Sequence, residues 1–184
     1  MKCIHYITAA AIMLSLTSAF AAESVHEFET KTITGEDVDM QDYAGKVLVI
    51  VNTASRCGFA RQFSALTDLQ KEYADKDVVV LGFPSANFGG QELDNNEDIA
   101  AFCESNFDIE FPLMTKTDVQ GDNQTALFRY LTSADNPDFT GNIRWNFEKF
   151  IVDQDGVLRR RFRSRTSPED KTFRAAIDEL LQSE

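Results

Sequence analysis

Histidine is almost missing from this chain. Of 184 residues only two are histidine, His5 and His26. Neither accompanies a candidate nucleophile, which leaves no material for a Ser/His/Asp or Cys/His catalytic pair or a His-based metal site. Cysteine is scarce too, at three residues: Cys3, Cys57 and Cys103. Two distant cysteines make a poor zinc site. Basic residues number 18 against 30 acidic ones, for a formal net charge of −12. That balance argues against nucleic acid or an anionic membrane surface as the main partner. No Gly-rich loop has phosphate-binding spacing, and beyond the N-terminus no apolar run is long enough to span a bilayer.

The N-terminus differs from the rest. Met1-Lys2 is followed by a largely apolar stretch, Ile4 to Phe20, and then Ala19-Phe20-Ala21, a small-x-small cleavage pattern. This reads as a secretory signal peptide over residues 1–21. The apolar core is short and broken for a membrane anchor, and no basic stop-transfer cluster follows. The expectation is an exported protein, periplasmic or secreted, without stable membrane insertion. Residues 22–184 then form one domain, large enough to bury its own core. Cleavage removes Cys3 and leaves Cys57 and Cys103, an even pair that suits either a structural disulfide or a redox couple.

What is present is concentrated in Val47 to Phe63. Val47-Leu48-Val49-Ile50-Val51 reads as a fully buried strand. A polar turn, Asn52 to Arg56, leads to Cys57, and an amphipathic helix follows with Phe63, Leu66, Leu69 and Tyr73 on one side. A thiol between a strand end and a helix N-terminus sits where negative charge is stabilised.

The remaining pattern is orderly. Strands are expected at His26–Thr32 and around Val38 and Met40, with a turn at Gln41–Gly45. A second buried strand covers Val78–Phe83. Asp94 to Glu97 reads as a capping box, opening a helix that runs to about Asn106. A short strand at Phe111–Met114 and a helix at Ala126–Leu131 follow. Phe147–Asp153 and Val157–Phe162 read as a hairpin turned at Gln154-Asp155-Gly156. Ser167-Pro168-Glu169 is expected to start the last helix. A parallel βαβ unit followed by an antiparallel βα unit is the thioredoxin plan. It predicts an α/β, three-layer, thioredoxin-like fold with a central mixed sheet flanked by helices.

Without histidine, Cys57 needs neutral donors. Gln91 follows Gly89-Gly90 beyond one strand end, and Trp145-Asn146 immediately precede the hairpin. Residues after strand ends gather at one edge of such a sheet. Amide and indole N–H groups could stabilise a thiolate and polarise a bound O–O bond. Taken singly, each has a bland alternative: Trp145 in the core, Asn146 in a turn, Gln91 in a solvated loop, Cys57 as an inert buried thiol.

Together these residues resemble the glutathione peroxidase family. The matching motifs are Asn52-Thr53-Ala54-Ser55-Arg56-Cys57-Gly58, then Gly82-Phe83-Pro84 through Asn87-Phe88-Gly89-Gly90-Gln91-Glu92, then Trp145-Asn146-Phe147-Glu148-Lys149-Phe150. The resemblance runs from about Glu27 to the C-terminus. It implies that Cys57 is the peroxidatic residue, with Gln91, Trp145 and Asn146 completing a tetrad. It further implies that Cys103 is a resolving cysteine forming a Cys57–Cys103 disulfide. Hydroperoxides would be the substrate and a thioredoxin-like protein or glutathione the reducing thiol, with no bound cofactor. The short segment from Leu131 to Trp145 resembles that of monomeric members. Ala60-Arg61, Phe63, Ser85-Ala86 and Leu93 depart from common family residues, and none of them is a tetrad position. An exported thiol–disulfide oxidoreductase or a peroxide sensor on the same fold is the alternative. The former expects a CxxC motif, which Cys57-Gly58-Phe59-Ala60 lacks.

Overall fold

In the computed structural model, which describes residues 22–182, capping chemistry decides how the chain enters the fold. The proposed signal segment and Cys3 lie outside the described residues. The strand expected at His26–Thr32 is divided. Val25–Glu27 winds into a 3₁₀ turn because Ser24 Oγ accepts the His26 N–H at 3.1 Å and the Glu27 carboxylate reaches back to the Ser24 N–H at 3.0 Å. Only Glu29–Lys31 (β1) remains extended, paired antiparallel with Asp37–Asp39 (β2). Met40, expected in that second strand, instead opens a 3₁₀ turn over Met40–Tyr43 capped by Asp39.

The centre follows the apolar pattern closely. Val47–Thr53 (β3) is buried at every residue. Gln62–Glu72 (α1) crosses over to Val78–Pro84 (β4), which pairs parallel with β3. Asn96–Phe107 (α2) and Ala126–Ser133 (α3) precede Lys149–Val152 (β5), Leu158–Phe162 (β6) and Lys171–Leu181 (α4). The main sheet has the order β4-β3-β5-β6, with β5 antiparallel to both β3 and β6.

Alternation along β3 builds the two outer layers. Val47, Val49 and Val51 meet Phe63, Leu66 and Leu69 of α1 and Phe173 and Ile177 of α4. Leu48 and Ile50 face the opposite side, toward Leu127, Phe128 and Leu131 of α3. Each such side chain contributes about 1.5–3 kcal/mol by leaving water. The result is the expected mixed sheet between helices. Among the described residues no helix is long and apolar enough to cross a membrane.

Boundary differences have local causes. Phe111–Met114 forms only isolated bridges, to Gly82 and Thr32, and Pro112 can offer its carbonyl but no N–H to a ladder. Helix α2 is capped by Asn95 rather than Asp94: the Asn95 side chain accepts the Asp98 N–H at 2.8 Å. Helix α4 starts at Lys171 because Asp170, not Ser167, accepts the capping N–H of Thr172. Strand β5 begins at Lys149, since Phe147 takes a left-handed conformation with φ of 64°.

Lys149 is fully buried on β5. Its ammonium donates to the carbonyls of Ser164 at 3.2 Å and Thr166 at 2.6 Å. Burial lowers its pKa from 10.5 to about 7, against the opposing charge of Glu148. Above that value the folded protein releases a proton that the unfolded chain keeps, so stability rises with pH. From about pH 7 to about pH 8.5, denaturant unfolding of the wild type relative to Lys149→Met should gain up to ~1.4 kcal/mol per pH unit. Identical pH slopes for the two proteins would contradict the assignment.

Candidate active site

Three loops meet where β3 and β4 end. The first carries Cys57. After Thr53 the chain turns tightly, with the Cys57 N–H donating to the Ala54 carbonyl at 3.3 Å. Cys57 is 6% exposed, and its sulfur accepts the Phe59 N–H at 3.4 Å. Helix α1 begins only at Gln62. Between them the backbone winds through successive turns, with Ala60 N–H donating to Cys57 O, Gln62 N–H to Phe59 O and Phe63 N–H to Ala60 O. The expectation that Cys57 sits at the helix N-terminus is therefore corrected. It stands ahead of the helix, and a turn N–H, not the first helical N–H groups, addresses the sulfur.

The second loop follows β4. It is fastened to the first at three points: Ser85 N–H to Thr53 O at 3.0 Å, Arg56 N–H to Gln91 O at 2.9 Å, and Ser55 N–H to Glu92 Oε1 at 3.1 Å. Gly89 and Gly90 turn the chain at φ of 66° and 61°, a region that side-chain-bearing residues seldom adopt. Gln91, half-buried, accepts the Asn146 Nδ2–H at 3.1 Å through its Oε1. Its NH₂ group makes no hydrogen bond among the described residues.

The third loop holds Trp145 and Asn146, and its anchor is Asn52. This fully buried side chain donates to the Trp145 carbonyl at 3.2 Å and accepts the Glu148 N–H at 3.0 Å. The Phe147 N–H also reaches the Asn52 carbonyl, at 2.6 Å. This double hold keeps Phe147 in its left-handed conformation, which costs about 1–3 kcal/mol for a non-glycine residue. Glu148 closes the loop from the other side. Fully buried, it accepts the Arg144 N–H at 2.8 Å and pairs with the equally buried Arg161 at 2.9 Å and with Arg163 at 2.6 Å. Trp145 is 39% exposed and lies against Phe88, with ring centroids 5.9 Å apart. Asn146 is fully buried, and its Oδ1 has no partner.

Gln91 and Asn146 are thus joined directly, and their loops are fastened to the Cys57 turn and to the end of β3. Cys103 is separate. It faces inward from α2, 1% exposed, in the same apolar cluster as Cys57. Both cysteines are free thiols. Burial, and then the charge of Glu92, push the Cys103 thiol up from 9.0 to about 12. Asn52, Glu92 and Glu148 stand inside the quoted motifs, yet their structural part goes beyond anything those motifs declare. The one signal available was a polar residue interrupting an apolar strand at Asn52. A surface concavity of about 660 Å³ is lined by Asp94, Asn96, Lys116 and Asp118 among others and includes none of the proposed site residues. Among the described residues no three His, Cys, Asp or Glu side chains cluster as metal ligands.

Comparison with known proteins gives concordant matches. The family model described as glutathione peroxidase matches residues 25–132. A Staphylococcus epidermidis protein named Glutathione peroxidase homolog BsaA is 42% identical over 159 residues, 86% of this chain and 99% of that protein. Glutathione peroxidase-like peroxiredoxin 2 of Saccharomyces cerevisiae is 43% identical over 162 residues, covering 87% of this chain and 96% of its own length. The crystal structure of T. cruzi GPX1 superimposes with a TM-score of 0.70 at 30% identity, over 86% of this chain and 96% of that one. A thioredoxin family thiol:disulfide interchange protein from Chlorobium tepidum aligns with a TM-score of 0.63 over 84% of this chain and 92% of its own. At 18% identity it reports the fold alone.

The Asn52 clamp predicts a measurable loss. Asn52→Ala leaves buried backbone groups unpaired and should lower unfolding free energy by about 1–3 kcal/mol. The single tryptophan makes the loop directly visible: native-state Trp145 fluorescence should shift as the residue loosens. An unchanged urea midpoint together with an unchanged emission spectrum would refute the clamp.

Proposed function

The chain belongs to the glutathione peroxidase family, and from that premise we propose that it is a two-cysteine hydroperoxide reductase. The observation that carries the reading is the joining of Gln91 to Asn146, beside a turn that presents Cys57, without any histidine. The Cys57 thiolate attacks one peroxide oxygen and becomes a sulfenic acid, releasing water or an alcohol. The Gln91 and Asn146 amides and the Trp145 indole N–H are neutral donors for the thiolate and for the departing oxygen. The electrons come from a reducing thiol, so no bound cofactor is required.

Cys103 then attacks the sulfenic sulfur and closes a disulfide. Both thiols border one apolar cluster, but Cys103 must leave its place in α2 to react. The composition of α2 favours this, because only Ile99 and Cys103 are buried among its twelve residues. A helix with so small a buried face opens at modest cost. A thioredoxin-like protein or glutathione restores the two thiols. The N-terminal apolar segment supports an exported enzyme, and the short connection from Leu131 to Trp145 supports a monomer. A thiol–disulfide interchange role draws support from fold likeness alone, and Cys57-Gly58-Phe59-Ala60 lacks the second cysteine such a role needs.

After one equivalent of peroxide, mass spectrometry of the reduced protein should find a Cys57–Cys103 linked peptide. Cys57→Ser should abolish turnover, whereas Cys103→Ser should still consume a single equivalent. Replacing one donor, as in Gln91→Ala, should cost about 10²–10³ in rate. Full steady-state turnover by Cys57→Ser would sink the proposal. Assays with thioredoxin or glutathione as sole reductant identify the electron donor.

A further inference from the structure

Glu92 is a buried carboxyl that the peroxide-reducing step does not use. It is 3% exposed. Its Oε1 is fully engaged, accepting the N–H of Ser55 at 3.1 Å and of Leu93 at 2.8 Å. Among the described residues its Oε2 is buried and accepts no hydrogen bond of normal geometry; the Ser55 hydroxyl, which also bears on this carboxyl, is buried and otherwise unpaired. The nearby cation does not fill the gap. Lys116 spends its ammonium on the carbonyls of Leu93 at 2.8 Å and Asp94 at 3.2 Å. A carboxylate oxygen left open in an apolar interior is a group prepared to take a proton.

The groups around Glu92 define where that proton comes from. Ser55 belongs to the Cys57 turn, Leu93 to the loop of Glu92 itself, Lys116 to the segment between α2 and α3, and Cys103 to α2. Burial raises the Glu92 carboxyl above its ordinary range, against the hydrogen bonds of Ser55 and Leu93 and the charge of Lys116. The charge of Glu92 in turn bears on Cys103, whose thiol is held protonated. A thiol in that state is a poor nucleophile, because the thiolate is the attacking species. The one described histidine, His26, lies in the N-terminal turn next to Gly156, away from this site.

From the buried Oε2, the bond of the other carboxyl oxygen to the Cys57 turn, and the packing of the adjacent Leu93 against the cluster that holds both Cys57 and Cys103, we infer that Glu92 is the proton acceptor for Cys103 during disulfide closure. This rests on the two-cysteine reading above. As α2 loosens, the Cys103 S–H proton passes to Glu92 Oε2. The Cys103 sulfur attacks the Cys57 sulfenic sulfur, an S–S bond forms and the S–O bond breaks. The leaving hydroxide takes the proton back from Glu92 and departs as water. The Cys103 sulfur is oxidised as the Cys57 sulfur is reduced, and Glu92 ends as it began. A carboxyl with a raised pKa suits the role, since a general base works best when its pKa approaches the working pH.

The test separates the two chemical steps in the full chain. Reduced protein is mixed with one equivalent of hydrogen peroxide; the sulfenic acid is trapped with dimedone, and the disulfide is followed by acid quench and mass spectrometry. Glu92→Gln, which keeps an acceptor for Ser55 and Leu93, should form the Cys57 sulfenic acid at an unchanged rate. Its disulfide closure should slow about 10²-fold. In the wild type the closure rate should level off above the carboxyl titration, whereas in Glu92→Gln it should keep rising toward alkaline pH. Glu92→Asp should recover part of the rate and the inflection. Closure by Glu92→Gln at the wild-type rate with the wild-type pH profile would overturn the inference. If the variant does not fold, the wild-type profile decides alone: absence of a carboxyl inflection in closure overturns it. A wild type that forms sulfenic acid but no Cys57–Cys103 bond refutes the two-cysteine reading itself, and the inference with it.

Discussion

One buried asparagine at the end of the central strand carries more of this structure than any ion pair. Asn52 lies on β3, five residues before Cys57, and both ends of its amide are occupied by the Trp145–Glu148 backbone. A buried asparagine following a run of valine, leucine and isoleucine costs stability unless its polar atoms are paired. Here the pairing is with a loop more than ninety residues away in sequence. The desolvation of Asn52 is offset only when that loop is in place, so folding of the core and assembly of the site are one event.

The same logic extends outward. Glu148 is a fully buried carboxylate and would be prohibitive alone. Arg161 pairs with its Oε2, while Arg163 and the Arg144 N–H share its Oε1. Such networks add little net stability compared with apolar packing, but losing one member is expensive. Their value here is geometric. They hold Trp145 exposed and Asn146 buried on a short loop whose next residue, Phe147, is held in an unfavourable conformation. The proposed mechanism, without histidine, relies on the direction of neutral N–H dipoles, and those weaken quickly with distance and angle. Rigid fastening of three loops is the structural counterpart of that chemistry.

The core was legible in the sequence, and the boundaries less so. Val47–Val51 reads unambiguously because five consecutive apolar residues leave no competing pattern, and the strand runs on through Asn52 and Thr53, the first residues of the polar turn. Helix α1 reads from the spacing of Phe63, Leu66 and Leu69. Helix starts were misplaced where nearby residues compete for one cap, as with Asp94 and Asn95, or Ser167 and Asp170. The hairpin start was misplaced at Phe147, whose left-handed backbone is imposed by tertiary bonds and not by its own preference. For the candidate site, Cys57 and Gln91 were singled out from their places after strand ends, Trp145 and Asn146 from their place just before the hairpin, and all four from family motifs. Asn52, Glu92 and Glu148 escaped notice because their partners are distant in the chain. Glu92 meets Ser55 across 37 positions, and Asn52 meets Glu148 across 96. No local periodicity encodes such pairs.

The central claim is that the fold, through its donors, makes Cys57 reactive. It is tested most directly by the second-order rate constant of reduced Cys103→Ser protein with hydrogen peroxide, measured by stopped flow in native buffer and again in urea sufficient to unfold the chain. The account predicts that the native protein reacts faster by at least about 10³, the scale of one or more well-placed donors. Equal rates in the folded and unfolded states would contradict it.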